Sequence, residues 1–220
     1  MDFRSKRRVI EDFRKQGIDA VHALPAWHVR DNDTLLELQK DGIMKSRVEI
    51  NGTEVLPLTG VANKLTVLCN EGGDYITYYS DRHGFNNPQD VWDKSPADVV
   101  AVGDSFTQGW CVTPNKNFVA LIRQRYPATI NLGIEGSGPL VALAAIKEYA
   151  QSLKPKVVLW FYYEANDLSD LDNERRSALL LAYMTRDSAN IYPADNPKLT
   201  ALSQTIFKEG SKRLRRTTGC

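Results

Sequence analysis

Three polar turns, each directly after a predicted strand, carry residue types that acyl transfer requires. A serine on a tight turn at the end of a strand exposes its hydroxyl, and a helix that starts there favours negative charge on that oxygen. A glycine N–H and an asparagine side-chain amide are suitable hydrogen-bond donors to a developing oxyanion. The spacing of these residue types fits a nucleophile with an oxyanion hole. The turns are Gly103-Asp104-Ser105, the glycine-rich run from Gly133 to Gly138, and Glu164-Ala165-Asn166-Asp167.

The elements that must hold these turns alternate between strand and helix in the second half of the chain. Apolar runs predict strands at 98–104, 129–133 and 156–163, and helices are predicted near 117–125 and 140–153. Strands and helices in this alternation predict an α/β fold in three layers, with helices on both faces of a parallel sheet. Ligands of such sheets bind beyond the carboxyl ends of the strands, where the three turns lie.

The rest of the chain predicts smaller elements. An amphipathic helix is expected within residues 1–17, and turn signals between short apolar stretches predict hairpins after it. A further helix is predicted at 175–184, and an amphipathic stretch follows at 199–214. We therefore expect a small mixed α+β extension over residues 1–95 and an α/β domain over residues 96–220.

Composition excludes several classes of protein but names no function. The 220 residues carry 28 Lys and Arg against 27 Asp and Glu, so no net field attracts nucleic acid or an anionic membrane. No apolar run is long enough to span a bilayer, and the first residues contain no apolar signal stretch. Three cysteines are too few for a disulfide scaffold or a tetrahedral zinc site. We expect no nucleic-acid partner, no membrane segment and no metal.

Over roughly residues 98–171 the chain resembles the SGNH (GDSL-type) hydrolase family. Residues 102–109, VGDSFTQG, are similar to the first block of that family, and the resemblance implies that Ser105 is the nucleophile. It also implies an oxyanion hole made by the Ser105 N–H, by the N–H of Gly136 at the end of NLGIEG, and by the side chain of Asn166 in the third block. The resemblance thus implies an SGNH-type parallel-sheet fold and a serine esterase or acyl transferase.

Two departures from the family pattern bear on the activity. Glu164 stands where the third block, Gly-x-Asn-Asp, has its glycine, and the Asp-x-x-His element near the family's carboxyl terminus has no match. His22, His28 and His83 all precede Ser105, and a serine hydroxyl is a poor nucleophile without an adjacent base. The family's sheet has about five strands, against three predicted here. We therefore expect these residues to be the N-terminal part of a longer hydrolase.

The resemblance implies attack on an ester-linked acyl group of a small molecule or a glycan, without a metal or organic cofactor. A second hypothesis is a catalytically inactive relative that binds an acylated glycan or a protein partner. Many relatives work outside the cytoplasm, where Cys69 and Cys111 could pair and pin the leading extension to the loop after the first strand. Two unpaired buried thiols are an equally open alternative.

Three better-known motifs do not fit the same turns. Thr107 occupies the second glycine position of the G-x-S-x-G elbow of α/β-hydrolases. The run that ends at Gly109 continues with Trp110, whereas a phosphate-binding P-loop continues with Lys and then Ser or Thr. Val141 occupies the third glycine position of a dinucleotide-binding fingerprint that would start at Gly136. These glycine-rich turns therefore do not predict a nucleotide site.

Several polar and aromatic side chains near the turns are expected to be structural. His83 is the one histidine considered as a substitute base, but its surroundings, SDRHGFNNP, favour a turn residue. The other two histidines lack a nearby carboxylate or thiol cluster, so ordinary packing is favoured over a metal pair. Asp104 and Asp167 are expected to cap helices or brace turns. The aromatic run 160–163 is expected to be strand core, with Tyr163 able to reach the cleft.

Overall fold

The computed structural model describes two continuous ranges, residues 1–23 and 58–185, together with the backbone at 48–50 and 53–55. The amphipathic stretch predicted at 199–214 lies outside the described residues. The helices and strands, in chain order, are α1 (Lys6–Lys15), β1 (Ala20–His22), β2 (Val48–Ile50), β3 (Thr53–Val55), β4 (Leu65–Cys69), β5 (Ile76–Tyr79), β6 (Val99–Gly103), α2 (Ser105–Gln108), α3 (Phe118–Arg125), β7 (Thr129–Asn131), α4 (Pro139–Ala145), β8 (Val157–Phe161), α5 (Asp167–Glu174) and α6 (Ala178–Thr185).

The leading part contains a three-stranded sheet covered by one helix. The buried face of α1, formed by Val9 and Ile10, packs on β1 and β4 through Ala20 and Val67. β4 and β5 form an antiparallel pair, as do β2 and β3, whereas β1 lies parallel to β4. The predicted amphipathic helix and hairpins are therefore confirmed. The parallel pairing of β1 joins segments distant in sequence, which local turn signals do not report.

The second sheet has three parallel strands in the order β7-β6-β8. β6 is the central strand, and all of its residues are buried. α4 packs against β6, and both α5 and α6 pack against α4. The mixed α/β class and the parallel sheet are confirmed. Because all three strands run the same way, their carboxyl ends meet at one edge of the sheet.

Strand β8 is more exposed than its continuous apolar sequence predicts. Val157, Val158 and Trp160 are 46%, 43% and 51% exposed, and consecutive strand residues point to opposite faces. Within the two described ranges, β8 pairs with β6 alone. The prediction that the aromatic run 160–163 is strand core is wrong for Trp160, Tyr162 and Tyr163, because these three side chains are exposed.

Two predicted helices differ in detail from the observed ones. The helix predicted near 140–153 starts with Pro139 at its first position, is α-helical through α4, and continues as a wider π turn and a 3₁₀ turn to Leu153. The helix predicted at 175–184 starts later, at Ala178, because the Ser177 hydroxyl caps α6 by accepting a hydrogen bond from the Leu180 N–H (3.3 Å).

The leading part and the second sheet share one hydrophobic core. Phe85, Val91 and Trp92 precede β6 in the chain and pack with Val100 of β6 and Ile130 of β7. Aromatic contacts extend this core, since the Phe85 ring meets the ring of Tyr149 edge-on at 5.0 Å. The division of the chain near residue 95 stays a prediction.

A disulfide joins Cys69, at the end of β4, to Cys111, shortly after α2. Of the two alternatives for these cysteines, the structure shows the pair rather than free thiols. Leu68, Tyr78 and Trp110 surround the bridge in a small apolar cluster. The loop that follows the first strand of the second sheet is therefore fastened to the leading sheet.

Candidate active site

Ser105 is the first residue of α2, at the point where β6 ends. Asp104 caps this helix, because its Oδ1 accepts a hydrogen bond from the N–H of Phe106 at 2.9 Å. A Cβ on Gly103 would stand 2.7 Å from the carbonyl oxygen of Phe161, so only glycine fits between the strand and the helix. This turn leaves Ser105 half-buried at the carboxyl end of the central strand.

The second turn is hydrogen-bonded to the first. The carbonyl oxygen of Gly103 accepts hydrogen bonds from the Ile134 N–H (3.1 Å) and from the Ser137 hydroxyl (2.7 Å). Gly136 lies between these two contacts, is half-buried, and has a φ of +69°, which glycine adopts readily. The loop that carries Gly136 is therefore held against the turn that carries Ser105.

The third turn reaches the first through Asn166. Its Nδ2 donates a long hydrogen bond (3.4 Å) to Oδ2 of Asp104, the residue before the serine. Oδ2 of Asp167 accepts a hydrogen bond from the Tyr163 N–H (3.0 Å) and braces the turn. Both aspartates thus have the cap and brace roles predicted for them. Glu164 is exposed and its φ is not positive, so the turn forms without a glycine at that position.

Three hydrogen-bond donors remain available where these turns meet. Among the described residues, neither the N–H of Ser105 nor the N–H of Gly136 donates to a protein acceptor. The Asn166 amide carries a second N–H besides the one directed at Asp104. Its Oδ1 is buried and has no partner within the described part of the chain. Such unpaired groups are uncommon in a folded protein and are typical of sites that bind a ligand or water.

Buried carboxyl groups surround the start of α5. Burial raises the pKa of Asp167, and the nearby carboxylates of Asp104 and Asp170 add to that rise, whereas the Tyr163 N–H opposes it. Asp167 therefore holds its proton at higher pH than an ordinary aspartate does. On the second turn, burial likewise raises the pKa of Glu135, and the charge of Lys6 opposes that rise.

His83 is half-buried and packs against aromatic residues of the hydrophobic core. Its ring meets those of Trp92 and Tyr149 edge-on, at centroid distances of 4.3 and 5.7 Å. Tyr149 lies about three helical turns beyond Gly138, which places it about 16 Å along the helix from the second turn. The structural role predicted for His83 fits this position.

His22 lies on β1, in the other sheet. Burial is the main reason that its pKa falls to about 4, and repulsion by Lys6 and Arg14 lowers it further. A histidine with this pKa is neutral at pH 7 and is not poised for proton transfer there. His28 lies outside the described residues.

An exposed aromatic pair stands beside the candidate site. Phe106, directly after Ser105, is 59% exposed, and its ring meets the ring of Tyr163 edge-on at 5.0 Å. Tyr163 is therefore in contact with the residue next to the serine, although it is not part of the strand core. The pair offers an apolar surface to a molecule bound at the carboxyl ends of β6 and β8.

A group of buried amide side chains that was not predicted from the sequence lies behind the three turns. Asn86, Asn87, Gln108 and Asn131 are each 7% exposed or less, and all four hydrogen-bond to backbone groups of neighbouring segments. The signal in the sequence was the presence of asparagine and glutamine beside apolar segments. Buried positions rarely hold these residues unless a specific partner satisfies the amide. Asn131 in particular ends the apolar strand that leads to Gly133.

A cleft of about 480 Å³ lies in front of part of this amide group. Its walls include Tyr79, Asn86, Asn87 and Arg123, and they include none of the three predicted site residues. The guanidinium of Arg123 donates to the Thr129 carbonyl oxygen (2.9 Å) and to Oδ1 of Asn87 (2.7 Å). The cleft is therefore distinct from the strand end that carries Ser105.

Within residues 1–23 and 58–185, no group of three or more His, Cys, Asp or Glu side chains could hold a metal ion, and no helix is long and apolar enough to cross a membrane. Comparison of the chain with protein-family models, with curated proteins and with solved structures found no match.

Proposed function

We propose that this chain is a serine esterase or acyl-transfer domain of the SGNH type, acting on a small-molecule or glycan ester. One observation carries the proposal: the second and the third turn are each hydrogen-bonded to the first, at Gly103 and at Asp104 respectively. Those turns bear Ser105, Gly136 and Asn166, whose groups match the needs of acyl transfer. We also propose the three-layer α/β/α arrangement, because right-handed crossovers in the order β7-β6-β8 put α3 and α4 on opposite faces of the sheet.

In the proposed reaction, Oγ of Ser105 attacks the carbonyl carbon of the ester while a base takes the hydroxyl proton. The carbonyl oxygen becomes an oxyanion that accepts hydrogen bonds from the N–H groups of Ser105 and Gly136 and from the amide of Asn166. Collapse of this intermediate breaks the bond to the alcohol, which leaves with a proton, and acyl-serine remains. Attack of water, or of an acceptor hydroxyl, on the acyl-serine completes hydrolysis or transfer.

The described residues do not supply the base that would take the proton of the Ser105 hydroxyl. His22 and His83 lie elsewhere, and removal of one triad member costs several orders of magnitude in rate. We therefore expect this chain to hydrolyse p-nitrophenyl acetate only slightly. The nucleophile and the oxyanion hole can still be tested, because a thiol needs less help from a base than a hydroxyl does.

The test is a single-turnover assay of Ser105→Cys in a chain that also carries Cys220→Ser, which removes the cysteine outside the disulfide. We expect p-nitrophenyl acetate to release one p-nitrophenolate per chain in a burst, with the acetyl group retained at position 105. Adding Asn166→Ala should slow the burst by about 10²–10³-fold, the usual effect of removing one oxyanion donor. Mass spectrometry of peptides locates the acetyl group.

The matched control places the thiol at an exposed position of the neighbouring helix, with Ser169→Cys in the same background. Its rate reports the intrinsic reactivity of an exposed thiol. If position 105 reacts no faster than position 169, or if Asn166→Ala leaves its rate unchanged, the proposed function is wrong.

The absence of a histidine beside Ser105 in the described part of the chain favours a second candidate, a module that binds an acylated glycan without cleaving it. Calorimetric titration with an O-acetylated oligosaccharide and with its deacetylated form tests this candidate. Saturable binding of the acetylated form alone, without release of acetate, would support it over the enzyme.

A further inference from the structure

We propose that Asn131 and Gln108 are positioning residues, whose side chains fix the separation between the helix that begins at Ser105 and the loop that carries Gly136. This inference rests on the proposed function, because it assigns the two amides to the geometry of the nucleophile and the oxyanion hole. Neither residue was among those expected to take part in the site.

Asn131 uses both ends of its carboxamide to join two segments. Its Nδ2 donates to the carbonyl oxygen of Thr107 in α2 at 2.7 Å, and its Oδ1 accepts from the N–H of Gly133 at 2.8 Å. The side chain is 1% exposed, so water does not compete for either hydrogen bond. Asn131 therefore ties the serine helix to the first residue of the glycine-rich loop.

Gln108 makes a second connection between the same two segments. Here the side chain belongs to the serine helix, α2, and contacts the backbone of the loop. Oε1 of Gln108 accepts from the N–H of Glu135 at 2.9 Å. Glu135 directly precedes Gly136, so this hydrogen bond fixes the backbone next to the proposed oxyanion donor. Together the two amides hold the loop at both Gly133 and Glu135.

The leading part of the chain holds Asn131 from the other side. Nδ2 of Asn87 donates to the carbonyl oxygen of Asn131 at 2.9 Å, and the N–H of Asn131 donates to Oδ1 of Asn87 at 2.8 Å. The carboxamide of Asn87 thus pairs with the free edge of β7 as a neighbouring strand would. Asn86 acts similarly on α2, since its Nδ2 donates to the Gln108 carbonyl oxygen at 2.9 Å.

This arrangement matters for catalysis because oxyanion donors act only over a narrow range of distances from the oxyanion. They must lie within about 2.7–3.1 Å of the oxyanion, and a misplacement of about 1 Å can lower a rate by about 10²-fold. The N–H of Ser105 and the N–H of Gly136 belong to the two segments that the amides join. Loss of a tie should therefore affect the chemical step more than the binding of a small ester.

The experiment measures acylation by p-nitrophenyl acetate in the Ser105→Cys, Cys220→Ser chain with Asn131→Ala or Gln108→Met added. We expect each variant to lower the limiting acylation rate at least tenfold, with a nearly unchanged half-saturating ester concentration. The amide ¹H–¹⁵N resonances of Gly133, Glu135 and Gly136 should shift in the same variants. Gln108→Met keeps the side-chain volume, so it tests the inference even if Asn131→Ala does not fold.

Asn117→Ala is the matched control, because Asn117 is also a buried asparagine whose side chain makes two hydrogen bonds. Asn117 is 4% exposed, donates to the Pro114 carbonyl oxygen (2.7 Å) and accepts from the Ala120 N–H (2.8 Å), on a different helix. Its replacement should lower the melting temperature but leave the acylation rate and the three resonances in place.

The inference is overturned if the Asn131 and Gln108 variants, measured where they are fully folded, acylate as fast as the Asn117 variant and keep the three resonances. If the parent chain acylates no faster than a chain with an exposed thiol, the proposed function fails. In that outcome the resonances still decide whether the amides hold the loop, so the two failures are distinguishable.

Discussion

At the scale of single residues, the site depends on close backbone contacts that a side chain would block. A Cβ on Gly133 would stand 2.3 Å from the backbone nitrogen of Gln108 and 2.5 Å from the carbonyl carbon of Thr107. Both neighbours are backbone atoms of the serine helix, so neither can rotate away. The loop after β7 and the helix α2 can approach this closely only because residue 133 is glycine.

We predict that Gly133→Ala lowers the free energy of unfolding by about 1–3 kcal/mol, because the extra carbon overpacks the contact between loop and helix. It should also slow acylation at position 105 by about 10²-fold, since the oxyanion loop must move. Urea denaturation and the burst assay measure the two effects.

Gly72→Ala is the control, since nothing lies within 4 Å of a Cβ at that position. We expect this substitution to change the free energy of unfolding by no more than about 0.5 kcal/mol. Equal effects at positions 72 and 133 would contradict the packing described for the loop.

At the scale of helices and strands, local signals predicted most of the second sheet. Apolar runs predicted β6, β7 and β8, and the helices predicted near 117–125 and 140–153 are found as α3 and as α4 with its continuation. The three turns could be predicted as well, because each directly follows a strand. The exposure of Trp160 could not, since a single sequence shows which residues are apolar but not whether another element covers them.

The exposure of β8 leads to a prediction about two tryptophans. Trp160→Ala should lower the free energy of unfolding by about 1 kcal/mol or less, because the side chain is half exposed. Trp92→Ala should lower it by about 3–5 kcal/mol, because that side chain is buried and its Nε1 donates to Asp81 at 2.7 Å. Denaturant unfolding under identical conditions compares the two variants. Equal losses of unfolding free energy would show that β8 is covered in solution.

At the scale of the whole molecule, the leading part is joined to the second sheet in three ways. The two share a hydrophobic core, a disulfide links Cys69 to Cys111, and Asn87 closes the free edge of β7. The amide contacts could not be predicted from sequence, since Asn87 and Asn131 are distant along the chain and no local pattern relates them. The leading residues thus contribute to the position of the site and not only to the surface around it.

We predict that removing the disulfide with Cys69→Ser and Cys111→Ser lowers the free energy of unfolding by about 2–4 kcal/mol, because the unfolded chain regains the freedom of a long loop. Guanidinium denaturation of the variant and of the parent chain measures this change. Titration of the denatured, unreduced chain should find one reactive thiol among the three cysteines. Three reactive thiols without reductant would contradict the pairing.

We propose that Ser105, Gly136 and Asn166 form one site, and a crystal structure of the chain after prolonged reaction with a fluorophosphonate would establish whether they do. Attack of the serine oxygen on phosphorus expels fluoride and leaves a stable mimic of the tetrahedral intermediate. We predict phosphorus on Oγ of Ser105, with one phosphoryl oxygen about 2.7–3.1 Å from the N–H groups of Ser105 and Gly136 and from the Asn166 amide. Phosphorylation of another residue in preference to Ser105, or a phosphoryl oxygen on Ser105 that contacts none of these donors, would disprove the shared site.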